Sequence, residues 1–91
     1  MASRILLLEN DREFARRVSA LLDAWGYETE TAHESDTGLA LFERSPADLV
    51  IVEHRLDDDA GLGAVARLRQ LRDGTNVPVV LISMGVEDES V

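Results

Sequence analysis

Polar side chains that could bind a cation stand at the ends of three strongly apolar segments. They are Glu9 and Asn10 after residues 5–8 (ILLL), Glu53 after residues 49–52 (LVIV), and Ser83 after residues 79–82 (VVLI). The backbone carbonyl of Arg55 and the acidic residues 57–59 follow soon after Glu53. Carboxylate and carbonyl oxygens, completed by water, are the ligands that a hard cation such as Mg²⁺ prefers. The pattern predicts an oxygen-rich pocket, provided that the three segments end side by side.

Each of these residues, taken alone, also has a simpler interpretation. Strand ends carry polar residues because the loops that follow them are solvated. In open α/β sheets, however, ligands bind at the carboxyl ends of the strands. Convergence of three strand ends would therefore favour a functional site.

Strand-like and helix-like segments alternate along the chain. The predicted strands are residues 4–9, 27–32, 48–53 and 77–83. Glu28 and Glu30 place the second of them at a sheet edge, because charged side chains protect exposed edges. This alternation predicts an α/β fold with a parallel sheet, right-handed crossovers and helices on both faces.

The first predicted helix begins at Asn10 or Asp11 and ends at Gly26, a residue suited to a left-handed cap. Its apolar residues recur at helical spacing and are predicted to form one core-facing stripe: Phe14, Val18, Leu21, Leu22 and Trp25.

Two further helices are predicted from the same kind of spacing. The second is capped by Ser35, stopped at residues 45–46 (SP), and directs three residues to the core: Leu39, Leu41 and Phe42. The third ends at Gly74 and carries a stripe of four: Leu62, Val65, Leu68 and Leu71.

Composition restricts the classes of function. The chain has 91 residues, which suits one small domain, and a net charge of −9 from 18 acids and 9 bases. All the bases are arginine, so a basic face for direct nucleic-acid binding is not expected. There is no cysteine for disulfide chemistry, and no apolar segment is long enough to span a membrane. A cytoplasmic location is the default expectation.

The whole chain resembles the receiver domain of two-component response regulators. The matching segments are residues 5–11 (ILLLEND), 21–28 (LLDAWGYE), 31–32 (TA), 46–53 (PADLVIVE), 61–62 (GL) and 77–83 (VPVVLIS). The resemblance implies a flavodoxin-like fold with the strand order 2-1-3-4 in the part present here. It implies a signalling module and not an enzyme.

The resemblance also implies a role for each polar residue at the strand ends. Receivers accept a phosphoryl group on an aspartate after the third strand, where this chain has Glu53. Two acids after the first strand help to bind Mg²⁺, and here they correspond to Glu9 and the neutral Asn10. Arg55 would offer its backbone carbonyl to the metal, and Ser83 matches the switch hydroxyl. The phosphate-contacting lysine, which follows the fifth strand in the family, has no counterpart because the sequence ends before that position.

These departures favour a degenerate receiver, a protein-interaction module that works without phosphorylation and has no cofactor beyond weakly bound Mg²⁺. Glu53 could hydrogen-bond Ser83 and mimic a phosphoryl oxygen, or it could point into water. The alternative function is a true phospho-acceptor that uses Asp57 or Asp58 with Mg²⁺. A flavodoxin-like ligand binder is a third reading, disfavoured because the loops lack a glycine-rich phosphate cradle.

The domain is expected to span residues 1–91 and to be incomplete at its C-terminus. A full receiver adds a fourth helix, a fifth strand and a fifth helix, for which residues 85–91 are too few. An exposed fourth strand and uncovered apolar faces would then favour self-association or exchange of elements between copies. Any output domain and the identity of the signalling partner lie beyond this sequence.

Overall fold

The computed structural model describes residues 3–55 and 61–83, so the predicted acidic loop at 57–59 and the polar segment 85–91 lie outside the described residues. The described elements alternate strictly in the order β1 (Arg4–Leu8), α1 (Arg12–Ala24), β2 (Glu28–Ala32), α2 (Ser35–Arg44), β3 (Leu49–Glu53), α3 (Gly61–Leu68) and β4 (Val79–Ile82). The α/β fold predicted from the sequence is therefore confirmed.

The four strands form one parallel sheet in the order β2-β1-β3-β4, which confirms the predicted order. The register pairs Leu8 with Val52 across β1 and β3, and Glu53 with Ile82 across β3 and β4. The residues that follow β1 therefore lie beside those that end β3. This register determines which polar side chains meet.

The main core lies between the sheet and the helices α2 and α3. Its buried residues are Leu6, Leu8, Leu39, Phe42, Val50, Val52, Ala64, Leu68 and Val77. Burying one such aliphatic or aromatic side chain contributes about 1.5–3 kcal/mol to the free energy of folding. The central strands β1 and β3 are thus held firmly, and so are the polar residues at their carboxyl ends.

The start and end of α1 agree with the sequence, but its predicted core stripe is partly wrong. Asp11 caps the helix, its Oδ1 accepting from the Phe14 amide at 2.9 Å, and Gly26 adopts a φ of +95°. Leu21 and Trp25, however, are 50% and 66% exposed. Apolar spacing identifies one face of a helix but not how much of that face a neighbour covers. The last turn of α1 lies beside a shallow groove of about 330 Å³ that Trp25 helps to line.

The predictions for α2 and α3 need three corrections. Ser35 is the first residue of α2 and is buried, while Glu34 holds the cap position without a side-chain hydrogen bond. The helix α3 ends at Leu68 and not at Gly74, because a separate 3-10 turn occupies Arg72–Gly74. Leu62, predicted to face the core, is 58% exposed.

The side chain of Arg69 stabilises the 3-10 turn at Arg72–Gly74. Its Nη1 donates to the carbonyl oxygens of Gly74 at 3.0 Å and Val77 at 2.6 Å. The charged guanidinium thereby provides a donor for carbonyls of the 3-10 turn and of the segment that leads into β4. The connection from α3 to β4 is fixed by this contact.

The two edges of the described sheet differ in character. On the β2 edge, Arg4 forms ion pairs with Glu28 at 3.4 Å and Glu30 at 3.0 Å, as expected for a charged edge strand. On the β4 edge, Val80 and Leu81 are exposed apolar residues. The second edge thus has a surface suited to further contacts.

Candidate functional site

Glu9 and Glu53 form a pair of buried carboxyl groups at the carboxyl ends of β1 and β3. They follow the paired positions Leu8 and Val52, so the register delivers them to the same point of the sheet edge. Glu9 is 1% exposed and Glu53 is 5% exposed. Glutamate side chains are seldom buried to this degree without a partner. The predicted convergence of polar strand ends is therefore found for β1 and β3.

Each carboxyl group uses one oxygen in the same way. Glu9 Oε2 accepts from the Asp11 amide at 3.0 Å, and Glu53 Oε2 accepts from the Arg55 amide at 3.1 Å. The other oxygen of each, Oε1, is buried and has no hydrogen-bond partner. Both side chains are thus folded back onto their own backbone.

The surroundings of this pair favour a proton on Glu9. Burial raises the pKa of Glu9, and charge repulsion from the neighbouring carboxyl group of Glu53 raises it further. The bond from the Asp11 amide acts in the opposite direction but does not cancel these effects. A protonated Glu9 can donate to Glu53, so one shared proton would partner both orphaned oxygens.

Asn10 and Arg55 join the same two strand ends at the surface. Asn10 Nδ2 donates to the carbonyl oxygen of Arg55 at 3.4 Å, and both residues are exposed. The carbonyl that the resemblance assigns to a metal is therefore in contact with an amide hydrogen. Within residues 3–55 and 61–83, no group of three or more His, Cys, Asp or Glu side chains could hold a metal ion.

Ser83 follows β4 and is exposed, whereas the carboxyl groups of Glu9 and Glu53 are buried. It lines an open pocket of about 450 Å³ together with His54, Arg55, Leu81 and Ile82. Glu53 Oε1 has no hydrogen-bond partner, so the predicted bond from Glu53 to Ser83 is not formed. The alternative prediction, that the Glu53 side chain points into water, is also wrong, because this residue is only 5% exposed.

His33 belongs to this site, although nothing in the sequence analysis assigned it a role there. Its Nδ1 lies 2.9 Å from the backbone carbonyl oxygen of Glu9, so this nitrogen carries the proton. The ring thereby ties the residue after β2 to the residue after β1. A histidine directly after a predicted edge strand is a weak signal, since loops often carry solvated histidines.

Taken together, the sheet order and the polar strand ends define the class of two-component receiver domains. A family model described as the response regulator receiver domain matches residues 5–91. The chain therefore belongs to the response regulator receiver domain family. In the described residues, no helix has the length and apolar character needed to cross a bilayer.

Curated relatives and solved structures agree with this assignment. The acid tolerance regulatory protein ActR of Rhizobium meliloti (strain 1021) is 30% identical over 89% of this chain and 41% of its own length. The photosynthetic apparatus regulatory protein RegA of Cereibacter sphaeroides is 32% identical over 89% of the chain and 44% of its own length. The chain spans less than half the length of these relatives.

Two solved structures support the fold. The chemotaxis protein CheY4 of Vibrio cholerae superimposes with a TM-score of 0.89 at 21% identity, covering 96% of this chain and 72% of that one. The receiver domain of sensor histidine kinase PA1611 from Pseudomonas aeruginosa PAO1, which holds a magnesium ion in its active-site cleft, gives a TM-score of 0.82 at 23% identity. That match covers 89% of this chain and 66% of the other.

Proposed function

We propose that this receiver domain is a phosphorylation-independent interaction module of two-component signalling, with Glu53 in the phospho-acceptor position. One observation carries the proposal: the Glu53 carboxyl group is buried. One of its oxygens accepts from the Arg55 amide and the other is enclosed without a partner. A carboxylate in this position has no solvent-accessible oxygen to attack a phosphodonor.

Positioning accounts for most of the catalysis of phosphoryl transfer, because the attacking oxygen must be in line with the leaving group. Glutamate extends one methylene further than aspartate, so its carboxyl oxygens do not occupy the position from which an aspartate would attack in line. Asn10 also replaces an acid of the family pattern with a neutral amide, which weakens the attraction for the Mg²⁺ that assists phosphoryl transfer. These features support a domain with a fixed conformation.

In this proposal, signalling depends on contact with another protein. Receiver domains interact with partners such as kinases and effectors, and the relatives named above are regulatory proteins. The exposed Ser83 pocket is lined by His54 and Arg55, which directly follow Glu53, and is the surface through which the state of the site would reach a partner. The proposal places the domain in the cytoplasm, where such partners act.

Treatment of the chain with acetyl phosphate and Mg²⁺ is expected to leave its mass unchanged in intact-mass spectrometry. Beryllofluoride is expected to leave the amide NMR spectrum unchanged for the same reason, since no accessible carboxylate is in place. Glu53→Ala is expected to change the affinity for a protein partner, because it removes half of the buried carboxyl pair.

A phosphorylatable receiver treated in parallel serves as the positive control for the donor. A phosphoryl adduct on any acid of this chain, Asp57 and Asp58 included, would overturn the proposal and establish the alternative phospho-acceptor. An increase in the affinity of the wild-type chain for a partner after acetyl phosphate treatment would also overturn the proposal.

The proposal includes self-association through the β4 edge. Val80 and Leu81 are 47% and 42% exposed on this strand, and unpaired strand edges recruit other chains. Light scattering coupled to size exclusion is expected to give a mass that rises with concentration above the 10.0 kDa of one chain. Leu81→Lys is expected to restore a monomer, whereas Leu62→Lys, on a more exposed leucine of α3, is not. A monomer at every concentration contradicts self-association.

A further inference from the structure

A direct contact joins Asn10 and Arg55, two residues to which the resemblance assigns a role in binding a cation. In the resemblance described above, a divalent cation bridges the acids after β1 and the carbonyl after β3. Here Asn10 Nδ2 makes that bridge directly, donating to the Arg55 carbonyl oxygen at 3.4 Å. Since a carbonyl dipole can be satisfied by an N–H group as well as by a cation, no metal is required to join the two strand ends.

The donor set does not fit Mg²⁺ for two further reasons. Mg²⁺ is held by one or two carboxylates at an accessible position where it keeps several waters. The nearest carboxyl groups, Glu9 and Glu53, direct their unpartnered oxygens into the protein interior. The accessible residue of the site, Asn10, is neutral and presents its amide hydrogens toward the carbonyl.

We propose that Asn10 closes this receiver site without a metal, and that the residues present there do not hold a divalent cation. An aspartate at this position would lose the hydrogen bond to the carbonyl and add an accessible carboxylate beside it. The inference deepens the proposed function and rests on it in one respect: a domain that accepts no phosphoryl group needs no cation to assist the transfer.

The test compares Asn10→Asp with the wild-type chain by calorimetric titration of Mg²⁺ and by thermal unfolding in EDTA and in Mg²⁺, at constant ionic strength. A ligand that binds only the folded state raises the unfolding midpoint. We expect no binding heat and no midpoint shift for the wild type. For Asn10→Asp we expect measurable binding heat and a higher unfolding midpoint in Mg²⁺ than in EDTA, because the added charge lies beside the Arg55 carbonyl.

Two control variants separate this inference from general charge effects. Asn76→Asp makes the same change at an exposed asparagine outside the site, and it is expected to leave Mg²⁺ binding at the wild-type level. Asn10→Ala removes the bridge without adding a ligand. It is expected to lower the unfolding midpoint in EDTA and to gain nothing from Mg²⁺.

Binding heat for the wild type overturns the inference by itself, whether or not the variants fold. Equal Mg²⁺ affinity for Asn10→Asp and Asn76→Asp overturns it as well. The proposed function fails on a different measurement, a phosphoryl adduct, so each can fail while the other stands.

Discussion

Replacing Gly74 with alanine is expected to lower the free energy of unfolding by about 3 kcal/mol or more, at the upper end of overpacking effects in proteins. Gly74 is buried in the 3-10 turn that follows α3. A Cβ atom placed there would lie 2.0 Å from the carbonyl oxygen of Leu68, well inside any permitted contact. That oxygen belongs to the backbone at the end of α3, so relief requires moving the helix or the turn. Thermal unfolding should show a fall of roughly 4–8 °C for each kcal/mol in a domain of this size.

Two other glycines provide matched controls for this prediction. A Cβ at Gly38 would lie 2.8 Å from the side chain of Leu8, which can yield, so Gly38→Ala should cost less than Gly74→Ala. A Cβ at Gly63 meets nothing within 4 Å, and Gly63→Ala should stabilise α3 by up to about 1 kcal/mol through helix propensity. An unfolding midpoint for Gly74→Ala equal to that of Gly63→Ala would contradict the contact.

The sheet was predictable from the sequence because buried parallel strands have a strong local signal. Residues 49–52 form a continuous apolar segment, and the alternation of such segments with helical spacing determines the order of elements. The position of a residue in the apolar stripe of a helix predicted its burial less well. Trp25 has the right spacing for a core residue, but its exposure depends on which neighbour covers the end of α1. That neighbour is a tertiary feature, and helical spacing does not encode it.

The composition of the candidate site was predictable, but the direction of its side chains was not. Neighbouring strand ends place Glu9 beside Glu53, and this follows from the sheet order. Whether Glu53 turns toward Ser83, toward water or toward Glu9 is decided by competition for backbone amides. The Arg55 amide, two residues beyond Glu53, takes one carboxylate oxygen and turns the side chain inward. Such local capture by an amide has no signature in residue spacing.

Replacing Glu9 with glutamine is expected to raise the free energy of unfolding at pH 8 by about 1–2 kcal/mol, the range for giving a partner to a buried unsatisfied group. The glutamine oxygen would keep the bond from the Asp11 amide. Its amide nitrogen would donate to the unpartnered oxygen of Glu53, which a deprotonated Glu9 cannot do. Chemical denaturation in EDTA, at a series of pH values, measures the difference between the two chains.

The pKa of Glu9 determines the pH dependence of that difference. Burial and the carboxyl group of Glu53 raise this pKa in the folded state above the ordinary value of 4.5. The stabilising contribution of Glu9 is therefore fully present below the unfolded-state pKa and is lost as the pH rises through the folded-state pKa. Glutamine does not titrate, so the advantage of Glu9→Gln should be small near pH 4 and grow toward pH 8.

Glu43→Gln is the matched control, because it makes the same chemical change at an exposed position of α2. Its effect should be small at every pH, since surface substitutions away from a buried group usually change stability by less than about 0.5 kcal/mol. If Glu9→Gln destabilised the chain at pH 8 in EDTA, the charged form of Glu9 would have to be held by a partner other than Glu53. If its advantage did not change with pH, Glu9 would not be the group that carries the shared proton. The predicted result, an advantage that grows with pH for Glu9→Gln alone, would identify Glu9 as the group whose proton stabilises the buried pair with Glu53.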